Sequence, residues 1–201
     1  SVSRGLGDVY KRQMNMDRLV IKQILGNEQV TLYYVVSLIG KTLVLLIAPI
    51  NTIVISYLTK RKERLTRSQF GKAVLAGGGV SLVFFVACQI GTPLFVWLFY
   101  RNLYESVKGI VTVVNLAQIL GLFSAFLFIL VLTFTDERWQ LWIQLAHFCI
   151  LLVSSVLAAR TYGMMGFAVA SLGANSLRVA AVVILGIVKA GKDKGDRNAD
   201  R

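Results

Sequence analysis

Five stretches of this chain, at about residues 30–58, 72–100, 109–134, 139–159 and 164–188, carry at most one Lys or Arg each and no Asp or Glu. Each is longer than the roughly 20 residues that take an α-helix across a bilayer. Lipid offers no hydrogen bonds, so backbone N–H and C=O groups there must pair within a helix or around a closed barrel. A barrel would show as segments of about 10 residues with alternating polarity, and such segments are missing. The expected fold class is therefore all-α, a polytopic membrane helix bundle. Composition agrees: 56% of the 201 residues are hydrophobic and 16% charged, against about 45–50% and about 25% in an average globular protein.

Charge sorts between the spans. The chain has 22 Lys+Arg against 10 Asp+Glu, but the cations do not form a basic stripe interleaved with stacking aromatics, so a nucleic-acid partner is not expected. Lys60, Arg61, Lys62, Arg64, Arg67 and Lys72 fill the loop between the first two spans; Lys189, Lys192, Lys194, Arg197 and Arg201 follow the last span, and Arg138 precedes the fourth. These 12 face only Arg101, Lys108 and Arg160 at the other ends. The positive-inside rule then puts the KRKER loop and the tail 190–201 in the cytoplasm. Trp97, Trp139 and Trp142 sit near span ends, where an aromatic belt forms. The loop reads as a topology determinant, with anionic-lipid binding as the alternative.

Residues 1–13, SVSRGLGDVYKRQ, have no apolar period. The string resembles the translated read-through of a sequencing-library adapter, which implies a non-native leader on a protein truncated at its N-terminus. The helical lobe is expected over 14–189, beginning with a helix remnant at 14–25 that ends in a cap at Gly26. Pro49 and Pro93 are expected to mark kinks. Cys88 and Cys149 lie in apolar stretches without metal-ligand spacing and read as small packing residues. No cofactor is expected, and the absence of paired carboxylates or a nucleophile with its base within the spans argues against an enzyme.

Polar residues recur inside the spans at steps of 3, 4, 7 and 11, which keep one helix face. Tyr34, Ser37 and Lys41 lie on the first; Thr112, Asn115 and Gln118 on the third; Gln140, Gln144, His147 and Ser154 on the fourth; Ser171, Asn175 and Arg178 on the last. Turned inward they line a polar cavity; alternatively they bond helix to helix. His147 reads as a hydrogen-bonded packing residue, and Gly77–Gly79 as a site of close helix approach. Lys41 and Arg178 stand near mid-membrane, where a charge costs about 2.5–3.5 kcal/mol. The five spans contain no carboxylate to neutralise them. An anionic substrate is one answer; pairing with backbone carbonyls or with Asp17 is the other.

The segment DRLVIKQILGNEQVTLYYVV, the cationic loop after the second helix, and the last helix opening YGMMGFAVASLGANSLR resemble the C-terminal half of polysaccharide flippases. These form the oligosaccharide-exporter branch of the multidrug/oligosaccharidyl-lipid/polysaccharide exporter superfamily. The resemblance implies one truncated six-helix lobe of a two-lobed fold in the bacterial cytoplasmic membrane. It implies transport of an anionic, undecaprenyl-diphosphate-linked oligosaccharide by alternating access in surface-polysaccharide biosynthesis. The implied partners are the lipid bilayer, that substrate and the missing N-terminal lobe. Arg18 and Lys41 match positions that line the cavity in such proteins, and Arg178, Asn115, Gln118 and Gln144 complete the candidate substrate-binding set. The alternative is a cation-coupled multidrug exporter, for which Asp17 is the candidate ion-coupling residue. A membrane scaffold, with passive seams and no mid-membrane cations, is a third reading.

Overall fold

The computed structural model describes residues 17–60, 66–132, 135 and 137–190. The leader 1–13, residues 61–65 of the basic loop and the tail 191–201 lie outside the described residues, as do the side chains of 44–60, Glu137 and Gln140. Every regular element among the described residues is helical. Helix α1 (17–25) is followed by α2 (Asn27–Lys60), α3 (Arg67–Phe99), a 3₁₀ turn (Arg101–Leu103), the single turn α4 (Tyr104–Val107), α5 (Val111–Leu132) and α6 (Glu137–Ala190). Three helical stretches, Arg67–Phe99, Val111–Leu132 and Leu141–Ala190, are long and apolar enough to cross a membrane.

Local chemistry sets the ends of these helices. Gly26, at φ +88°, separates α1 from α2 in a conformation that favours glycine, as expected for a C-cap. Thr66 begins α3 with a capping box: its hydroxyl accepts from the Gln69 backbone N–H while the Gln69 side chain accepts from the Thr66 backbone N–H. Both prolines lie within continuous helix, Pro49 in α2 and Pro93 in α3.

The two expected spans at 139–159 and 164–188 join with almost no loop. Helical geometry continues from Glu137 to Ala190 except at Gly163, where φ is 62° and ψ −143°. At about 1.5 Å per residue, a straight helix of this length would be far longer than the roughly 30 Å hydrocarbon core. Gly163 folds it into a hairpin whose arms bond side by side, Gln144 to Arg178 and His147 to Asn175. Near the turn, a Cβ at Gly166 would collide with the Ala158 carbonyl. Glycine is thus needed twice, once to turn and once to let the arms close.

Helix α5 is the centre. Half of its most apolar window is buried inside the bundle, against 6% for α3, and it packs against α2, α3 and, most extensively, both arms of α6. Two apolar clusters surround it. One gathers Ile21, Tyr33, Val36, Val96, Val114 and Phe167 around its N-terminal end; the other gathers Phe70, Leu127, Phe128, Leu130, Val131 and Val182 around its C-terminal end. Gly77, first of the three glycines on α3, faces the rings of Phe123 and Phe126 on α5, where a Cβ would clash. That is the close approach expected of the GGG run. The outer side of α3 exposes Leu75, Leu82, Val83, Val86, Ile90 and Leu94, a surface suited to lipid rather than water.

Apart from the cations inside the bundle, several described cations mark its two ends. The Arg67 guanidinium donates to the Ile187 carbonyl at 3.0 Å, and the Lys189 ammonium lies 5.9 Å from the Trp139 ring centre. The start of α3 and both ends of α6 therefore share one end. At the other, Lys108 pairs with the Glu105 carboxylate, which holds the ammonium pKa above its usual value, and Arg101 lies over Trp97 at 5.8 Å.

Two predictions follow from this arrangement. Gly163→Ala forces a side chain into a glycine-only backbone region and should destabilise the protein by about 1–3 kcal/mol, seen as a lower thermal midpoint in lipid nanodiscs. Single cysteines placed at Lys72 and Lys189 should react with an impermeant maleimide from one side of a vesicle, and those at Arg101 and Arg160 from the other. Labelling of all four from one side would overturn the hairpin reading of α6.

Candidate functional site

Between the two apolar clusters, level with the middle of α5, the helices leave a cavity of about 160 Å³. Its wall is contributed by α1 (Asp17), α2 (Tyr33, Lys41), α5 (Gln118, Gly121) and both arms of α6 (His147, Ser155, Asn175, Arg178). Drug-sized ligand pockets are about 300–1,000 Å³, so this space suits one small group, such as a phosphate or a single ring.

The charged groups come from distant parts of the chain. The Lys41 ammonium donates to the Asp17 carboxylate at 2.6 Å across 24 residues. It also lies 5.6 Å from the Tyr33 ring centre. Of the two answers open for Lys41, pairing with Asp17 is the geometry present. Both side chains are about 15% exposed, so the pair is largely desolvated and each partner depends on the other. Next to it, Arg18 turns away to stack on Tyr34 at 4.4 Å and does not line the cavity. The adjacent Asp17 and Arg18 thus face different surroundings.

Arg178 is 6% exposed. Its guanidinium donates to the Gln144 amide oxygen at 2.9 Å and lies 5.3 Å from the Phe128 ring centre. One turn along the hairpin, the Asn175 amide nitrogen donates to the Ala117 carbonyl at 2.8 Å, so its oxygen is turned towards His147 Nε2, 3.2 Å away. A carbonyl oxygen only accepts, so Nε2 carries the proton. Gly121 makes this possible, because a Cβ there would press on the Asn175 amide at 3.2 Å. His147 is the hydrogen-bonded packing residue expected from sequence, and it also reaches the cavity wall.

The candidate set divides. Asp17, Lys41, Gln118 and Arg178 meet around one space, with Gln144 bonded to Arg178. Asn115 is fully buried in the α3–α5 seam. Its amide donates to the Cys88 carbonyl and the Gln89 side chain, and its oxygen accepts from Thr92. It bonds helix to helix and does not line the cavity. Asn115 and Gln118 are three residues apart, so their side chains diverge by about 60° around α5, enough to send one to α3 and the other to the cavity.

Two lining residues escape a reading by stripes. Tyr33 shares the face of Ser37 and Lys41 at steps of four, a register that could have found it. Ser155 was hidden by its neighbour: Ser154 fits the stripe, but its hydroxyl bonds back to the Ile150 carbonyl at 2.6 Å, whereas the buried Ser155 hydroxyl has no hydrogen-bond partner. Both polar atoms of the Gln118 amide are likewise buried and without a partner. Leaving such groups unmatched costs about 1–3 kcal/mol each. Among the described residues, no group of His, Cys, Asp and Glu could hold a metal ion. Comparison of the chain with known protein families, curated proteins and solved structures gives no match.

Breaking the ion pair tests its role in the fold. Asp17→Asn and Lys41→Met should each destabilise the protein by about 2–4 kcal/mol, because the remaining charge is stranded. The double variant should recover at least half of the summed loss, as read from thermal or denaturant unfolding in a double-mutant cycle.

Proposed function

We propose that this chain is one lobe of a membrane exporter that carries an anionic lipid-linked oligosaccharide, of the undecaprenyl-diphosphate type, across the bacterial cytoplasmic membrane by alternating access. The observation that carries the reading is the mid-bundle cavity on which Lys41 and Arg178 converge from α2 and the last arm of α6. Arg178 is buried and donates to the Gln144 amide oxygen, and low surrounding polarity strengthens the attraction between a guanidinium and an anion. The resemblance of the α1–α2 segment and the last helix to polysaccharide flippases supports the same reading. In a two-lobed exporter this wall would face a second one, and the small cavity would take only the charged part of a larger substrate. A cation-coupled drug exporter would need a carboxylate open to cations. Asp17 lines the cavity, but Lys41 occupies it at 2.6 Å, which favours the anionic substrate.

Equilibrium binding in lipid nanodiscs tests this with two probes that share a tail: farnesyl diphosphate and a farnesyl quaternary ammonium. The diphosphate should bind and the ammonium should not. Arg178→Gln should weaken diphosphate binding about tenfold or more, equivalent to about 1.4 kcal/mol. Preference for the ammonium, or an unchanged affinity in Arg178→Gln, would reject the anionic reading.

A further inference from the structure

The hydroxyls of this bundle have a common habit. Ser37, Ser124, Ser154, Thr161 and Ser176 each donate to a carbonyl three or four residues earlier in their own helix. That is how a Ser or Thr in an apolar helix satisfies itself. Ser155 departs from the habit: it is 2% exposed, lines the cavity and has no hydrogen-bond partner. Gln118 is also among the lining residues; its amide lies against the backbone of Gly40, with both Oε1 and Nε2 buried and unmatched. Asn115, one turn earlier on α5, shows the contrast, because its amide nitrogen and its oxygen both have partners.

From these unmatched groups we infer that Gln118 and Ser155 form a neutral hydrogen-bonding subsite that takes a hydroxyl-bearing ring, beside the charged groups Arg178 and Lys41. The inference rests on the anionic-substrate reading only for its neighbour. The subsite itself is defined by an amide and a hydroxyl, which together present donors and acceptors. A phosphate oxygen accepts only and would leave Gln118 Oε1 unmatched; a sugar hydroxyl both donates and accepts and can match both residues. A cavity of about 160 Å³ has room for one such ring. The division of labour follows: Arg178 meets the anion, and Gln118 with Ser155 distinguishes a glycosylated head from a bare one. Specificity of this kind arises because a ligand lacking the hydroxyls leaves the site's own polar groups unpaired.

The test uses three probes with a common tail in lipid nanodiscs: farnesyl glucoside, which is neutral and rich in hydroxyls; farnesyl diphosphate, which is charged and lacks them; and farnesol as the background. Farnesyl glucoside should bind more tightly than farnesol. Gln118→Met, unbranched so that it still fits against Gly40, and Ser155→Ala should each weaken glucoside binding about tenfold relative to diphosphate binding. Arg178→Gln should weaken the diphosphate relative to the glucoside. If the glucoside binds no better than farnesol, or if neither Gln118→Met nor Ser155→Ala changes the ratio of the two affinities, the subsite is only a water pocket and the inference is overturned. Glucoside binding that is sensitive to Gln118, with no diphosphate binding at all, would uphold the subsite while rejecting the anionic substrate.

Discussion

Everything in this bundle is arranged around a helix that has almost no polar side to turn outward. The most apolar part of α5 is half buried between α2, α3 and the two arms of α6. In lipid, apolar burial alone gives little reason for helices to associate, since tails are as apolar as Leu; close packing and interhelical hydrogen bonds have to supply it. The structure meets that requirement at distinct levels. Rings of α5 press on Gly77 of α3, Asn115 ties the helix to α3, and the Ala117 carbonyl is tied to α6 through Asn175. The cavity exists because α2 and the α6 hairpin are held against α5 on either side of it.

That scaffold explains why polar residues of similar appearance have different standing. Asn115 and Asn175 have both ends of their amides engaged and fix helix positions. Gln144 supports Arg178. Gln118 and Ser155 are buried as well, yet they reach no partner. A mid-membrane amide that serves packing is expected to be satisfied, because leaving it unmatched weakens the fold. One that is left unmatched at a cavity wall marks where the protein accepts a cost that packing does not explain.

Much of the helical layout was legible from charge and hydropathy. The three apolar helical stretches long enough to cross a membrane, the glycine cap at Gly26 and the closeness of α3 to its neighbour at Gly77 could be read directly, because each is a local property of a few residues. Pairing across the bundle could not. Asp17 and Lys41 are 24 residues apart on helices whose relative rotation depends on the Gly26 turn, so the sequence left a bound anion and pairing with backbone carbonyls or Asp17 both open. The polar stripes named the right helices but could not separate Asn115 from Gln118, or Ser154 from Ser155. A stripe fixes a face only to within the angle between neighbouring residues, and the surrounding helices decide the rest. The tight closure of α6 at Gly163 depends on a positive φ that hydropathy does not register.

The two cations of the cavity sit in different surroundings. Lys41 already faces a carboxylate at 2.6 Å, so an anion arriving there gains only the difference between its own attraction and that of Asp17. The Arg178 guanidinium donates to the Gln144 amide and lies against the Phe128 ring. In surroundings of low polarity an unscreened charge acts over several ångströms, so both cations bear on the proposed anion site. Contact with Lys41 would then require Asp17 to yield, and Asp17 belongs to α1, a short helix joined to α2 through the left-handed Gly26. On the proposed reading, an anion at Lys41 would compete with Asp17 for the same ammonium, and so with the contact that seats α1 against α2.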